Sequence, residues 1–325
     1  MAHGVLIAGF LLLLIGSELT VRGGVGLARQ FDVPPLITGI VVVAVLTVAP
    51  EFFVTMRAAS LGHPDMALGG LIGSNILNLL FVMGLGALVH PMASPPKVVF
   101  RDGGVLLLAT AGLIGCAAVG AVSRAAGALM LLAFAGYILL VFVTDWRRAP
   151  EHSVPLARAL FRSEGEMPSL TGSFVVLVLG LVLVVLGGHL SVVGAINFAA
   201  EIGWSETTVG LIVIAAGLSS PKLLLTLWAA VRGRTTVAVG QLVGAGIFSF
   251  SLVLGFIALF WPMAFPAALA SREVYILAAI ALVLMPLLAM RWRLSRPRGI
   301  LLILAYGCYL VFVLWRQGLP LPWSF

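Results

Sequence analysis

Two apolar segments of this chain each contain a proline followed by an ionisable residue. The first reads TVAPEFF, with Pro50 and Glu51, and the second reads LSSPKLL, with Pro221 and Lys222. An ionised side chain inside an apolar span is costly unless it is paired or hydrated, so such residues usually mark an ion or substrate path. We therefore take these two positions as the centre of a candidate ion site and predict a helix break at each proline.

Oxygen-bearing groups lie close to both positions in the sequence. Each proline frees carbonyl oxygens upstream, around Thr47 and Ser219. The next segment after Glu51 reads GGLIGSNILN and places Asn75 and Asn78 on one helix face, beside Ser74. Hydroxyl, amide and carbonyl oxygens suit Na⁺ or Ca²⁺. The predicted ion-binding residues are Thr47, Glu51, Ser74, Asn75, Asn78, Ser219, Lys222 and Ser249, with Glu51 and Asn75 as the metal ligands.

The elements that position these residues are membrane-spanning helices. Of the 325 residues, 61% are hydrophobic and only 10% are charged, whereas soluble domains are about one quarter charged. Continuous Leu, Val, Ile and Ala runs exclude the alternating pattern of a membrane barrel. The predicted fold class is all-α integral membrane, with about ten transmembrane helices. The spans are expected near 4–22, 35–60, 65–89, 103–122, 125–144, 172–194, 206–231, 236–262, 273–290 and 299–315.

The sequence repeats itself at a fixed distance. The motif 39–84 aligns without gaps on the motif 210–255, 171 residues further along, and the same offset relates Glu51 to Lys222. Five spans per copy is an odd number, so the second copy must cross the membrane upside down, as in many secondary transporters. We predict a first five-helix repeat at 1–144, a cytoplasmic linker at 145–171 and a second repeat at 172–325, with Glu51 and Lys222 facing each other near the midplane.

The basic residues predict the orientation. With the N-terminus outside, fourteen Lys and Arg residues fall in inner loops and four in outer ones, which is the positive-inside pattern. This distribution accounts for the net charge of +7 without a nucleic-acid partner. We expect a multi-pass protein of a prokaryotic inner membrane.

The motif of the first repeat resembles a known family. Gly-Thr-Ser-x-Pro-Glu followed by Gly-x-x-x-Gly-Ser-Asn-x-x-Asn, twice and inverted, is similar to the α-repeats of the sodium/calcium exchanger (cation:cation antiporter) superfamily. The resemblance extends to the GSELTVRGG start and the ten-span layout of the prokaryotic form. Leu46 and Val48 depart from the usual Gly and Ser. The matching residues are Thr47, Pro50, Glu51, Gly73, Ser74, Asn75 and Asn78.

The resemblance implies a secondary antiporter rather than an enzyme. Such proteins exchange Ca²⁺ or another inorganic cation for Na⁺ or H⁺ by alternating access, at a site built on two repeat glutamates, and we expect no resident cofactor. The oligomeric state stays open.

The second repeat departs from the family pattern at the site. Lys222 replaces the second glutamate, and Gly246 and Ser249 replace the two asparagines. A bound Ca²⁺ would face one carboxylate and an ammonium, so we predict coupling to a monovalent cation or H⁺ rather than tight Ca²⁺ binding. Two alternatives stay open: a static Glu51–Lys222 ion pair, and a scaffold that carries an anionic or organic solute.

Four further polar residues are interpreted as follows. Asn75 and Asn78 either bind the cation or hydrogen-bond the broken helices to each other. Glu18 and His189 occupy equivalent positions near the ends of their spans. Both are expected to reach the interface, with a proton relay as the second interpretation for His189.

Overall fold

A computed structural model describes residues 2–31, 44–146 and 169–317 of the chain. Within these ranges, nine helices are long and apolar enough to cross a membrane, which confirms the all-α membrane class. Most of the linker 145–171, and residues 35–43 of the second expected span, lie outside the described residues. The helices are α1 (Ala2–Gln30), α2 (Ala44–Thr47), α3 (Ala49–Ser60), α4 (Pro64–Val89), α5 (Val98–Val119), α6 (Arg124–Trp146), α7 (Leu170–Ile202), α8 (Glu206–Val231), α9 (Thr235–Phe260), α10 (Leu269–Trp292) and α11 (Arg296–Trp315).

Several helices extend beyond their predicted bounds. Helix α1 continues to Gln30 rather than ending at residue 22, and α7 continues to Ile202 rather than 194. Helix α5 begins at Val98 instead of 103, and its first turns include Arg101 and Asp102, where Arg101 Nε donates to Asp102 Oδ1 at 2.6 Å.

Helices α1 and α7 form a close antiparallel pair. A Cβ added at Gly9 would lie 2.5 Å from the amide nitrogen of Ser191, and one added at Gly23 would lie 2.3 Å from that of Leu177. Glycines every seven residues therefore let the two backbones touch. Because the same offset relates α1 to α7, their antiparallel packing shows directly that the repeat is inverted.

Short strands tie the two halves together. Strand β1 (Met92–Ala93) pairs antiparallel with β4 (Arg293–Leu294), and β2 (Ala121–Val122) pairs antiparallel with β3 (Met263–Ala264). In register, Met92 lies opposite Leu294 and Ala121 opposite Ala264. Each two-stranded sheet joins a loop of one half to a loop of the other.

The symmetry extends to irregular turns of the helices. π-Helical segments occur at matching places in α4 and α9, and again at the starts of α5 and α10. Such segments insert one residue into a helical turn and are frequent at functional sites. The π-helical segments are Asn78–Val82, Val98–Asp102, Gly210–Ile214, Phe248–Val253 and Leu269–Glu273.

Helices α4 and α9 form the centre of the bundle. In each, 78% of the most apolar window is buried, the highest share among the described spans. The turns that lead into them bend at Gly62 (φ 81°) and Gly233 (φ 69°), a left-handed conformation that favours glycine. The asparagine-bearing segment of α4 is therefore held at the middle of the protein.

Candidate ion-binding site

The backbone before Glu51 is broken as the sequence predicts. Helix α2 ends at Thr47, Val48 forms a turn, and α3 begins at Ala49 with Pro50 in its first turn. Proline is well tolerated there, because the first turn has no intrahelical partner for its missing N–H. Glu51 follows in the same first turn, where the helix dipole favours a carboxylate.

The prediction of a helix break at Pro221 is wrong. Helix α8 continues through this proline from Ala215 to Val231. Proline leaves the carbonyl four residues earlier, that of Gly217, without its usual donor. The hydroxyl of Ser220 donates to this carbonyl at 2.8 Å. A side chain thus replaces the lost backbone bond, and the helix does not need to open.

Glu51 and Lys222 meet as the inverted repeat predicts. Lys222 Nζ lies 2.9 Å from Glu51 Oε1, and the side chains are 2% and 0% exposed. The hydroxyl of Ser74 lies 3.3 Å from the same carboxylate oxygen and 3.0 Å from the Leu71 carbonyl, and its single proton serves one of them at a time. Glu51 Oε2 has no hydrogen-bond partner among the residues that the structure describes. The pair is buried, and half of the carboxylate remains available.

Polar atoms without partners surround this pair. Asn75 donates from Nδ2 to the Leu71 carbonyl at 2.8 Å, and its Oδ1 has no partner within the described ranges. Both amide atoms of Asn78 and the hydroxyl of Ser249 are buried without a partner among the described residues. Unsatisfied buried polar groups are rare in proteins, and a cluster of them beside a buried ion pair is a candidate for ligand binding.

The second repeat contributes less to the site. The hydroxyl of Ser219 donates to the Ser74 carbonyl at 3.3 Å, so it ties α8 to α4. Gly246 stands where the first repeat has Asn75, and a Cβ built there would lie 3.0 Å from Asn75 Oδ1. The structure thus joins Glu51, Lys222, Ser74 and Ser219 through hydrogen bonds, while Asn78 and Ser249 have no such bond to the pair.

Two threonines next to the pair are candidate ligands that were not predicted from the sequence. Thr55 and Thr226 lie one turn after Glu51 and Lys222, and both hydroxyls are buried without a hydrogen-bond partner in the described part of the chain. Two features of the sequence could have identified them: threonine stands at both equivalent positions of the repeat, and each threonine lies four residues after the ionisable residue.

A cavity connects this site to one end of the bundle. Its volume is about 360 Å³, and Lys222 and Thr47 line it together with Glu18 and Arg22 of α1. The last two side chains are 61% and 62% exposed and mark the mouth. Gln241 also lines the cavity, and its Oε1 is buried with no partner in the ranges that the structure covers. The cavity therefore extends from the exposed side chains of Glu18 and Arg22 to Lys222.

The chain is similar to exchangers along nearly its whole length. A family model described as sodium/calcium exchanger protein matches residues 1–143 and 172–315. The putative antiporter CaxA of Alkalimonas amylolytica is 35% identical over 312 residues, covering 93% of this chain and 95% of that protein. The sodium/calcium exchanger MaX1 of Methanosarcina acetivorans is 25% identical over 342 residues, covering 94% and 97%.

A solved structure has the same fold. The sodium-calcium exchanger NCX_Mj, soaked with Na⁺, superposes with a TM-score of 0.63 at 27% identity, covering 95% of this chain and 98% of the other. These relatives are transporters rather than enzymes. The family model matches both halves of the chain, and Glu51 and Lys222, at equivalent positions of the two halves, meet between them. This chain therefore belongs to the sodium/calcium exchanger family of multi-pass membrane antiporters.

Proposed function

We propose that this protein exchanges a monovalent inorganic cation for H⁺, with Glu51 as the essential carboxylate and Lys222 in place of the second one. The observation that supports this most is the 2.9 Å contact between Lys222 Nζ and Glu51 Oε1, with both side chains buried. The ammonium occupies one oxygen of the carboxylate where the family would bind a metal cation. The site therefore already contains one positive charge.

The charge balance of the pair favours a monovalent substrate. A buried carboxylate and a buried ammonium sum to zero, so the empty site is neutral and can cross between inward- and outward-facing states. If Lys222 gives up its proton, one monovalent cation restores neutrality, whereas a divalent cation leaves an excess positive charge in a region of low dielectric. Each cation bound then releases one proton, which leaves through the cavity.

The remaining ligands of the cation come mainly from the first repeat. We assign Asn75 Oδ1 and Glu51 Oε2 as the central ligands, since both are buried and unbonded. The hydroxyls of Ser74 and Thr47 complete this side, and Na⁺ accepts such oxygens readily. Further candidates are Asn78, Ser219 and Ser249, with the threonine hydroxyls Thr55 and Thr226 beside them.

The orientation belongs to the same proposal. Basic residues concentrate on one side when the N-terminus is placed outside a prokaryotic inner membrane. In this orientation the linker 145–171 is cytoplasmic, between the halves 1–144 and 172–325, and the cavity next to Glu18 opens to the cytoplasm. Reaction of cysteines placed in loops with an impermeant reagent from each side tests this assignment.

Ion fluxes in proteoliposomes test the proposed exchange. Purified protein is reconstituted, and uptake of Na⁺, K⁺ and Ca²⁺ is measured with and without a pH gradient. We expect Na⁺ or K⁺ uptake driven by an outward proton gradient, with an accompanying rise in internal pH. Protein that is folded and correctly reconstituted but moves none of these ions at any pH contradicts the proposal.

A second candidate function is supported by the cavity. Its volume of about 360 Å³ is far larger than an inorganic ion and falls in the range of roughly 300–1,000 Å³ of small-molecule sites. An anionic or organic solute would bind to Lys222, with the Glu51 pair as a structural element. Uptake of labelled organic anions, rather than of cations, would support this alternative.

A further inference from the structure

The two ends of the bundle differ although their sequences repeat. At one end Glu18 of α1 and Trp228 of α8 line the open cavity. Their equivalents at the other end, 171 residues away in the chain, are His189 of α7 and Arg57 of α3. An inverted repeat places these two residues at the counterpart of the cavity. The two ends can therefore be compared position by position.

The end that contains Arg57 and His189 is bridged. Arg57 Nε donates to His189 Nδ1 at 2.9 Å. Next to this contact, a Cβ added at Gly188 would lie 3.4 Å from the carbonyl carbon of Phe53 and from the amide nitrogen of Val54, so the backbones of α7 and α3 leave room for little more than a methyl group. At the opposite end, the equivalents Ser17, Leu224 and Leu225 line the cavity instead.

The bridging bond depends on the protonation of the histidine. A guanidinium has only donors, so His189 Nδ1 must accept and must carry no proton. Protonation of this nitrogen removes the acceptor and places an imidazolium against the guanidinium. Histidine is the side chain that ordinarily changes charge between about pH 5 and 8. The contact is therefore stable only while the histidine is neutral.

Within the part of the chain that the structure describes, the charged and titratable side chains besides Arg57 on the helices packed against α7 have partners other than the imidazole. Their contacts are separate from the Arg57–His189 contact, and the two that include a histidine are ion pairs only when that histidine is protonated. These contacts join Glu18 with Arg22, His3 with Glu201, His63 with Glu206, and Glu51 with Lys222.

We propose that Arg57 and His189 form a proton-sensitive latch that closes one end of the transport path while the opposite end is open. Neutral His189 keeps α7 against α3, and protonation from the solution at that end releases it. The latch goes beyond the proposed exchange reaction, because it acts whichever cation or solute is carried. In the proposed orientation it faces the outside.

Cysteine accessibility tests the latch without any transport. The native cysteines are replaced (Cys116→Ala, Cys308→Ala), and Val54→Cys reports on the closed end. The matched control is Leu225→Cys, at the equivalent position in the open cavity. A small impermeant thiol reagent is applied to protein in detergent, and the labelling rate at position 54 is divided by that at 225 at each pH. This ratio cancels the pH dependence of thiol chemistry.

The latch predicts how this ratio changes. From about pH 8 to about pH 5.5 it should rise about tenfold, the effect expected when a charge-assisted hydrogen bond becomes a like-charge contact. His189→Asn retains an acceptor oxygen and cannot be protonated, so its ratio should stay low at both pH values. His189→Lys should give a high ratio at both. Equal pH dependence in His189→Asn and the parent, or a low ratio in folded His189→Lys, would overturn the latch.

The latch and the exchange reaction fail in different ways. Flux measurements can be negative while the labelling ratio still responds to His189, in which case only the exchange proposal is lost. An unresponsive ratio together with measurable proton-coupled flux removes the latch alone. Elution as a single species in size-exclusion chromatography, with unchanged labelling of Leu225→Cys, establishes that each variant is folded.

Discussion

Asp102 and Glu273 are equivalent residues of the two halves, and both are buried carboxylates that a tyrosine holds in place. Tyr137 Oη lies 3.3 Å from Asp102 Oδ1, and Tyr309 Oη lies 3.0 Å from Glu273 Oε2. Each bond joins the start of one peripheral helix to its neighbour, α5 to α6 and α10 to α11. At these positions both copies of the repeat retain an acid and a matching donor.

Removing one of these tyrosine hydroxyls should destabilise the protein without affecting the ion site. For Tyr309→Phe we expect a loss of about 1–3 kcal/mol, because the buried carboxylate of Glu273 loses a donor and keeps only Arg316. The measurement is thermal unfolding of the purified protein. Tyr306→Phe, in the same helix and packed on Phe81, is the matched control and should change the unfolding temperature much less.

The two repeats differ at the ion site, where Lys222 is the equivalent of Glu51, whereas Asp102 and Glu273 are both acids. This difference predicts how proton coupling depends on Lys222. Lys222→Gln removes the proton that the proposed cycle releases, so proton coupling should be lost while cation binding to Glu51 persists. Glu51→Gln should abolish both. The readouts are pH change in the vesicle interior and equilibrium binding of the cation. Full proton coupling in folded Lys222→Gln would contradict the assigned role of the lysine.

Restoring the second acid should change the preferred cation. Lys222→Glu places two carboxylates together, as the exchanger family has, and the site then matches a divalent charge. We expect the Ca²⁺ affinity to rise by at least about tenfold, which corresponds to about 1.4 kcal/mol. Calorimetric titration of the purified variant measures this change.

Unchanged Ca²⁺ affinity in folded Lys222→Glu would point to the missing asparagines instead. A variant that adds Gly246→Asn and Ser249→Asn to Lys222→Glu then separates the effect of charge from that of ligand number. A side chain at Gly246 meets Leu106 Cδ1 at 2.6 Å, so Leu106→Ala belongs in that variant to make room.

The glycine contacts between α1 and α7 predict a position-dependent effect of alanine. Gly23→Ala puts a Cβ 2.3 Å from the Leu177 backbone nitrogen, and such overpacking costs about 1–3 kcal/mol. Gly4→Ala meets no atom within 4 Å and should be neutral or slightly stabilising, because alanine favours the helix. Thermal unfolding of both variants measures the difference. Equal behaviour would show that the two helices have room to separate.

The chain's one-dimensional pattern was enough to predict the membrane class, the inverted repeat and the meeting of Glu51 with Lys222. Long apolar runs indicate that lipid surrounds the helices. Each copy of the gap-free repeat has an odd number of spans, so the second copy must cross the membrane in the opposite direction. Equivalent residues of an inverted repeat are related by a two-fold axis in the membrane plane, so only those near this axis at mid-membrane, such as Glu51 and Lys222, are brought together. These properties depend on composition and spacing rather than on details of packing.

The tertiary structure decided what the repeat leaves undetermined. Helix α8 continues through Pro221 because the hydroxyl of Ser220 happens to reach a freed carbonyl, which depends on a rotamer rather than on the proline. Likewise, the two copies of the repeat align without gaps, but one end of the bundle is open, while the other is bridged by Arg57 and His189, which stand where the open end has Trp228 and Glu18. The physical reason is that helix rotation and translation set contacts between distant residues, and the packing of the whole bundle chooses one of two nearly equivalent arrangements.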